Sequence, residues 1–139
     1  MKFGELLNQL LIDLQSLFRE SFKKNKITLS QITIITSIPL IGLDMTSLSK
    51  KIGVDNSTLT RLVDLLSKKE LLERVNNRKD GRSKLILLTK KGMKLKREVE
   101  NKIEKIGKDI YKNKNLDKYD QSNDFLNALH WEINKAKLK

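Results

Sequence analysis

The scarcity of residues that break helices constrains this chain more than any other feature. Its 139 residues include one proline, Pro39, and six glycines, and these two residue types are the usual points where helices end. Long helices are therefore expected over most of the sequence, within a single domain spanning 1–139. Aromatic residues make up only 5% of the chain, so Leu and Ile must form most of the core.

Both ends of the chain carry apolar residues at helical spacing. In 2–24 these residues form a stripe wider than a terminal helix on a small monomeric core needs: Leu6, Leu7, Leu10, Leu11, Leu14, Leu17, Phe18 and Phe22. After a polar break at 112–121, a last helix carries Leu126, Leu129, Ile133 and Ala136. The two stripes could pack together within one monomer or across a two-fold axis, and we favour the dimer because the middle of the chain offers few core residues.

The centre of the chain predicts three helices separated by short turns. The first, capped by Thr28 or Ser30, ends before Pro39. The second, for which Thr46 is the expected cap, is short and runs through Ile52. After a turn at 53–54, Asp55 is expected to cap a third helix over 56–69. The second and third helices together predict a helix-turn-helix motif.

A hairpin and a long helix are expected to follow this motif. Two strands, 71–75 and 84–88, flank a polar loop at 76–83 whose Asn-Asn and Asp-Gly pairs are turn signals. Thr89 can cap the long helix, which is predicted to continue to about Tyr111. Its apolar residues are spaced as in a coiled coil: Leu95, Val99, Ile103, Ile106 and Ile110.

Charge and composition exclude several classes of protein. The 29 Lys and Arg residues against 17 Asp and Glu give a net charge of +12, which suits nucleic acid, an anionic membrane or an acidic protein. Zero cysteines exclude disulfides and thiolate metal sites, and one histidine, His130, cannot form a multi-histidine site. The sequence lacks a nucleophile–base pair, a glycine-rich phosphate loop and a spaced pair of carboxylates. We therefore expect a protein that is not an enzyme and has no cofactor.

Localisation follows from the hydropathy pattern. No apolar run approaches the roughly 20 residues of a membrane span, and the first residues lack the features of an export signal. The prediction is a cytoplasmic protein without membrane attachment.

The hairpin loop and the third central helix carry the residues that point to DNA. The tip holds four cations and one anion, a shape and charge that suit a minor groove, and Asp80 can hold the guanidinium of Arg82 in one orientation. The N-terminal part of the helix offers short polar side chains and one arginine, as recognition helices do, while Asp64 further along can pair with Lys68. A solvated turn and an ordinary surface helix are the alternatives for the two features taken singly. The predicted DNA-contacting residues are Ser47, Asn56, Ser57, Thr58, Thr60, Arg61, Arg78, Lys79, Asp80, Arg82 and Lys84.

Several of these motifs resemble those of MarR-family winged-helix regulators. The resemblance rests on the stretch from Met45 to Gly92, above all on Ser-Thr-Leu-Thr-Arg-Leu-Val at 57–63, Asp-Gly-Arg at 80–82 and Leu-Thr-Lys-Lys-Gly at 88–92. It implies a mainly α fold with a small β-hairpin wing, in which a winged helix-turn-helix domain (28–92, wing 76–83) is flanked by dimerisation helices (1–26 and 112–139) and joined by a long helix (93–111). It also implies that Arg82 is the wing-tip arginine and Asp80 its orienting partner.

Three residues depart from the family pattern. Glu70 stands where glycine is usual, and a left-handed backbone there would cost a non-glycine residue about 1 kcal/mol. Ser49 replaces a small apolar residue, and Gly81 replaces a common arginine. These departures leave the predicted fold intact.

The resulting hypothesis is a homodimeric transcriptional regulator that binds a pseudo-palindromic site in double-stranded DNA, with two recognition helices about 34 Å apart. Repression is expected because a bound dimer excludes polymerase, and the resemblance implies release by a small-molecule effector whose binding residues the sequence does not mark. The alternative is a winged-helix module whose basic face binds an acidic protein.

Overall fold

The computed structural model describes residues 1–79, 81–112 and 119–138. Contacts divide the chain into two compact units, Met1–Glu100 and Asn101–Lys139. Within the described residues the chain forms six α-helices, one 3₁₀ helix and three strands, in the order α1 (Phe3–Phe22), 3₁₀ (Lys23–Asn25), α2 (Leu29–Ser37), β1 (Leu43–Asp44), α3 (Met45–Ile52), α4 (Asn56–Lys68), β2 (Leu72–Asn76), β3 (Lys84–Leu88), α5 (Lys90–Lys112) and α6 (Tyr119–Lys137). The predicted mainly α fold with a small wing is confirmed.

Local hydrogen bonds set the boundaries of α2. The Thr28 hydroxyl accepts from the N–H of Gln31 at 3.1 Å, and the Gln31 side chain accepts from the N–H of Thr28 at 3.2 Å. This capping box satisfies two backbone donors at the helix start. The helix ends at Ser37, before Pro39, as predicted.

The helix-turn-helix consists of α3 and α4, each capped by an aspartate. Asp55 caps α4 as predicted, accepting from the N–H of Thr58 at 2.8 Å. The predicted cap of α3, Thr46, is wrong, since Asp44 accepts from the N–H of Ser47 at 2.8 Å. The helix starts one residue after Asp44, so Thr46 lies inside the first turn, where its side chain cannot reach a free N–H of that turn.

The turn between α3 and α4 also accommodates Ser49, which departs from the family pattern. Gly53 there has the left-handed conformation, at φ +75°. The Ser49 hydroxyl donates to the carbonyl oxygen of Val54. Its polar group is therefore satisfied rather than left unpaired in the core.

Glu70 has a left-handed backbone, at φ +62°. Around it, the N–H of Glu70 donates to the carbonyl of Ser67 at 2.9 Å and the N–H of Leu71 donates to that of Leu66 at 3.0 Å. These two bonds form a Schellman motif, in which glycine is the usual residue at the left-handed position. Glu70 therefore adopts the left-handed backbone for which the sequence predicts a cost of about 1 kcal/mol.

The wing is an antiparallel sheet of order β1-β3-β2. The β2–β3 hairpin pairs Leu72 with Leu88 and Asn76 with Lys84, one residue later in β2 than predicted. The strand β1, which was not predicted, pairs Leu43 with Ile86. Two residues are too few to show the period-2 pattern that identifies a strand in sequence.

The core of the first unit is aliphatic, as the composition predicted. Buried residues from α2, α3, α4 and the sheet form one cluster: Ile34, Ile35, Ile38, Leu48, Leu59, Val63, Leu66, Leu71, Leu72, Ile86 and Leu88. This cluster fixes α4 against the sheet, so that the opposite face of α4 is directed outward.

The start of α5 is tied to the turn between α4 and β2. The Thr89 hydroxyl accepts from the N–H of Gly92 at 3.0 Å, as predicted for the cap, and donates to the carbonyl of Glu70 at 2.6 Å. At the other end, the predicted polar break is shorter than 112–121, because Lys112 belongs to α5 and 119–121 belong to α6. Its remainder, 113–118, lies outside the described residues. None of the helices in the described ranges is long and apolar enough to cross a membrane.

Candidate nucleic-acid interface

The outer face of α4 presents the polar side chains expected of a recognition helix. Asn56, Ser57 and Arg61 are exposed, whereas Leu59 and Val63 on the other face are fully buried. Thr60 is exposed as well, and its hydroxyl donates to the carbonyl of Asn56 at 2.7 Å. The amphipathic pattern of the sequence therefore determines which residues of this helix can reach a ligand.

Two other predicted contact residues, Ser47 and Thr58, take part in the helix caps. The Ser47 hydroxyl donates to Asp44 at 2.8 Å, and the Thr58 hydroxyl donates to Asp55 at 3.0 Å. Hydrogen bonds from the backbone N–H groups of Ser47 and Thr58 lower the pKa values of both aspartates most, and the hydrogen bonds from the two hydroxyls lower them further. Both carboxylates are thus held ionised by the starts of α3 and α4, where the helix dipole also favours negative charge.

A pocket of about 400 Å³ lies between α4 and the wing. Its walls come from the start of α3, from α4 and from both strands of the hairpin: Asp44, Met45, Thr46, Thr60, Arg74, Arg82, Ser83 and Lys84. The fold therefore brings Thr60 together with Arg82 and Lys84, although both lie more than 20 positions after Thr60 in the sequence. Its three cations outnumber its one carboxylate, that of Asp44, and this positive balance suits an anionic group such as a phosphate.

Arg74 is a member of this pocket that sequence reasoning missed. Its guanidinium donates to the carboxylate of Asp64, forming an ion pair between β2 and α4. The predicted partner of Asp64, Lys68, is wrong, because the packing of β2 on α4 brings Arg74 within reach of the carboxylate. The period of β2 offered a signal, since position 74 falls on the same strand face as the buried Leu72.

The remaining wing cations, Arg78 and Lys79, lie in a different place. They line a second groove together with Val75, Leu85 and Leu87. The side chains of Leu85 and Leu87 alternate with those of the buried Ile86 and Leu88, so this groove is on the outer face of the sheet. The fold therefore divides the basic residues of the wing between two faces.

Hydrogen bonds across the loop hold the base of the wing tip. The N–H of Asn77 donates to the carbonyl of Ser83 at 3.1 Å, and its amide donates to the Ser83 hydroxyl at 3.2 Å. Asp80, the predicted partner of Arg82, lies outside the described residues. Gly81 is exposed, with open space where a side chain would project.

Comparisons with known proteins relate this arrangement to one family. Residues 27–84 match the sequence profile described as the MarR family. None of the curated protein sequences matches the chain.

Solved structures share the fold over nearly the whole chain. Apo MarR from E. coli is 24% identical, with a TM-score of 0.82 over 93% of this chain and 96% of that one. A mutant MarR from E. coli complexed with operator DNA is 25% identical, with a TM-score of 0.73 over 91% of each chain. CouR from Rhodococcus jostii RHA1 bound to p-coumaroyl-CoA is 18% identical, with a TM-score of 0.76 over 92% of this chain and 91% of that one.

Proposed function

We propose that this chain is a member of the MarR family, whose profile matches residues 27–84, and a homodimeric transcriptional regulator that binds a pseudo-palindromic site in double-stranded DNA. The observation that carries the proposal is the pocket shared by Thr60, Arg74, Arg82 and Lys84. It connects a helix that suits a major groove to a hairpin that suits a minor groove. The phosphate backbone between the two grooves is the anion that such a pocket would accept.

The exposed residues at the start of α4 would read the DNA. Asn56, Ser57 and Arg61 lie on the outer face of its first two turns, where recognition helices meet base edges and phosphates. Arg82 would enter the flanking minor groove, whose negative potential attracts arginine. Ser47 and Thr58 would support this face by holding the caps of α3 and α4.

A dimer is supported by apolar stripes that are exposed in the single chain. On α1 the side chains of five leucines are between 38% and 54% exposed: Leu6, Leu10, Leu11, Leu14 and Leu17. The α6 helix of the second unit likewise has three side chains that are each at least 59% exposed: Phe125, Leu126 and Trp131. Contiguous apolar surface of this kind is usually covered by a partner, and a second copy would double the recognition helices.

Sedimentation measures the dimer directly. Wild-type protein is expected to sediment at twice the chain mass, and Leu14→Glu on the α1 stripe is expected to shift it toward the monomer. Glu98→Gln, an exposed change on α5, is the control. A wild-type protein that stays monomeric at micromolar concentration would contradict the dimer.

DNA binding is tested with a labelled duplex from the region upstream of the chain's own gene, using fluorescence anisotropy at several salt concentrations. Wild type should bind this duplex more tightly than a scrambled one, and Arg82→Ala should weaken binding by about 5- to 150-fold, the equivalent of 1–3 kcal/mol. Arg97→Ala, which removes an exposed arginine from α5, should leave the affinity within twofold. Equal affinity for both duplexes would refute specific binding, and no binding at low salt would favour the module that binds an acidic protein.

We further propose that the regulator is a repressor released by a small anionic ligand. A cavity of about 440 Å³ has apolar residues, Ile27, Leu71 and Leu95, beside one carboxylate, Glu98, and four lysines: Lys26, Lys69, Lys91 and Lys94. Lys69 is the C-cap of α4, so a molecule bound there would contact the end of the recognition helix. The related structure CouR holds p-coumaroyl-CoA, an organic anion with an apolar part.

Ligand binding in this cavity is tested with anilinonaphthalene sulfonate, a fluorescent anion with an apolar body. Its fluorescence should rise on binding, Lys94→Gln should lower its affinity several-fold, and Lys105→Gln should not. A reporter behind the upstream region should gain expression when the gene is deleted. Loss of expression would instead identify an activator.

A further inference from the structure

The turn that precedes β1 displays two large apolar side chains at its tip. The N–H of Gly42 donates to the carbonyl of Pro39 at 2.9 Å, which makes Leu40 and Ile41 the two central residues of the turn. They are 77% and 84% exposed. Central turn positions are normally occupied by Gly, Asn, Asp or Ser, so a leucine and an isoleucine there contribute nothing to forming the turn.

This turn is seated directly on the third strand. Gly42 has φ +84°, and a Cβ at that position would lie 2.5 Å from Leu87 Cδ2 and 2.9 Å from the carbonyl oxygen of Ile86. Only glycine permits so close an approach together with that backbone conformation. The position of Ile41 beside the sheet is therefore fixed by backbone packing.

The turn and the outer face of the sheet enclose one groove of about 740 Å³. Its apolar lining consists of Ile41, Val75, Leu85 and Leu87, and Val75 and Leu85 are a cross-strand pair. The sheet keeps its other face, with Ile86 and Leu88, for the core. A strand that is apolar on both faces needs a cover on both, and the described part of the chain supplies a cover for only one.

Among the described residues that line this groove, the charged ones have one sign. Arg78 and Lys79 border it, both exposed, and none of the described lining residues carries a carboxylate. An apolar groove with cations at its border is complementary to a segment that combines apolar and acidic side chains. A second copy of this chain docked symmetrically would bring two sets of these cations together, and duplex DNA offers no apolar surface of matching extent.

We propose that this groove docks a short acidic and apolar segment of another protein. The pocket of Arg82 and Lys84 lies on the α4 side of the wing, whereas the groove is on the outer face of the sheet. Both surfaces can therefore be occupied at the same time, and the wing can bind a protein partner while the recognition helix binds DNA. This proposal goes beyond DNA binding and does not depend on it.

The experiment selects peptides from a random 12-residue phage-display library on the intact protein. The expected sequences contain two or more Leu, Ile or Phe residues among Asp and Glu. A labelled synthetic copy of the best sequence should then bind wild type in a saturable manner. Leu40→Ser combined with Ile41→Ser should weaken that binding at least tenfold, and so should Arg78→Gln combined with Lys79→Gln.

Matched variants separate the groove from the general positive charge. Lys105→Gln combined with Lys108→Gln removes two exposed cations from α5, and Leu65→Ser removes an exposed leucine from α4. Both should bind the peptide as wild type does. The variant with Leu40→Ser and Ile41→Ser should keep the wild-type urea unfolding curve and the wild-type affinity for the upstream duplex. A loss of peptide binding in this variant is therefore distinct from a loss of DNA binding.

Four outcomes would overturn the proposal. They are selected peptides that are basic or lack apolar residues, binding that survives both groove variants, displacement of the peptide by duplex DNA, and self-association of wild type that disappears when Leu40 and Ile41 are replaced. The last result would assign the groove to a second copy of the chain.

Discussion

The guanidinium of Arg74 on β2 donates a hydrogen bond to the carboxylate of Asp64 on α4. This ion pair neutralises the acidic residue on the outer face of the recognition helix and directs Arg74 toward the pocket of Arg82 and Lys84. The two side chains are 36% and 48% exposed, and exposed pairs contribute about 0–1 kcal/mol to stability. The pair therefore contributes little to the stability of the fold, and its main effect is to place Arg74 beside the proposed DNA-binding surface.

Replacing Arg74 tests whether its guanidinium contacts a DNA phosphate. Arg74→Gln is expected to weaken binding to the native and scrambled duplexes alike and to reduce the slope of log affinity against log salt by about 1, because one phosphate contact is lost. Fluorescence anisotropy at four or more salt concentrations measures this slope. Arg97→Gln on α5 is the matched control, and an Arg74→Gln slope parallel to wild type would exclude the phosphate contact.

Replacing Glu70 tests the strain in the Schellman motif. A left-handed backbone costs a non-glycine residue about 1–2 kcal/mol, while glycine loses about 0.4–1 kcal/mol through its freer unfolded chain. Glu70→Gly should therefore raise the free energy of unfolding by up to about 1 kcal/mol, measured by urea titration. Glu73→Gly in β2 should lower it instead. A decrease in stability for Glu70→Gly would contradict the strain.

Gly92 and Gly107 lie on the same helix, α5, but their surroundings predict that alanine will change the free energy of unfolding in opposite directions at the two positions. A Cβ at Gly92 would collide with the carbonyl oxygen of Leu71 and lie 3.3 Å from Leu88 Cδ2, whereas the space at Gly107 is open. Gly92→Ala should lower the free energy of unfolding by at least about 1–3 kcal/mol, as overpacking does. Gly107→Ala should raise it by about 0.5–1 kcal/mol through helix propensity. Similar effects at the two sites would show that the contact with Leu71 is unimportant.

The aspartate caps predict a dependence of stability on acid pH. Hydrogen bonds from Ser47 lower the pKa of Asp44 in the folded chain, whereas an unfolded aspartate titrates near about 3.9. The unfolded chain therefore binds more protons in this range, so the contribution of Asp44 is present above pH about 3.9 and lost as the pH falls through the folded pKa. The lowered pKa of Asp55 acts in the same direction.

Replacing the aspartates by asparagine tests whether their charge causes this loss of stability at acid pH. Asparagine is as good a helix cap as aspartate but does not titrate. Urea unfolding at pH 7 and at pH 3 should show a smaller loss of stability for the double variant Asp44→Asn, Asp55→Asn than for wild type. An equal loss in the two proteins would assign the acid sensitivity to other groups.

Features that depend on neighbours within one helical turn could be predicted from the sequence. The caps at Thr28, Asp55 and Thr89 satisfy backbone donors three residues away, so residue type and spacing identify them. At Glu70 the residue type indicates what a left-handed backbone would cost, and the structure shows that this conformation is adopted. The cap of α3 was not, because both Asp44 and Thr46 are capping residues and the choice follows from where β1 pairs with Ile86, more than 40 residues away.

The sequence by itself determined which side chains of α4 face outward, because the 3.6-residue period assigns Asn56, Ser57 and Arg61 to one face and Leu59 and Val63 to the other. It also determined that the wing is basic. Only the tertiary structure decided that Arg74 pairs with Asp64, and that Arg82 and Lys84 lie on the α4 side of the wing while Arg78 and Lys79 line the groove on its outer face. The physical reason is that strand register and helix–sheet packing arise from contacts between residues distant in the chain, and a shift of one residue in register reverses the face of every side chain.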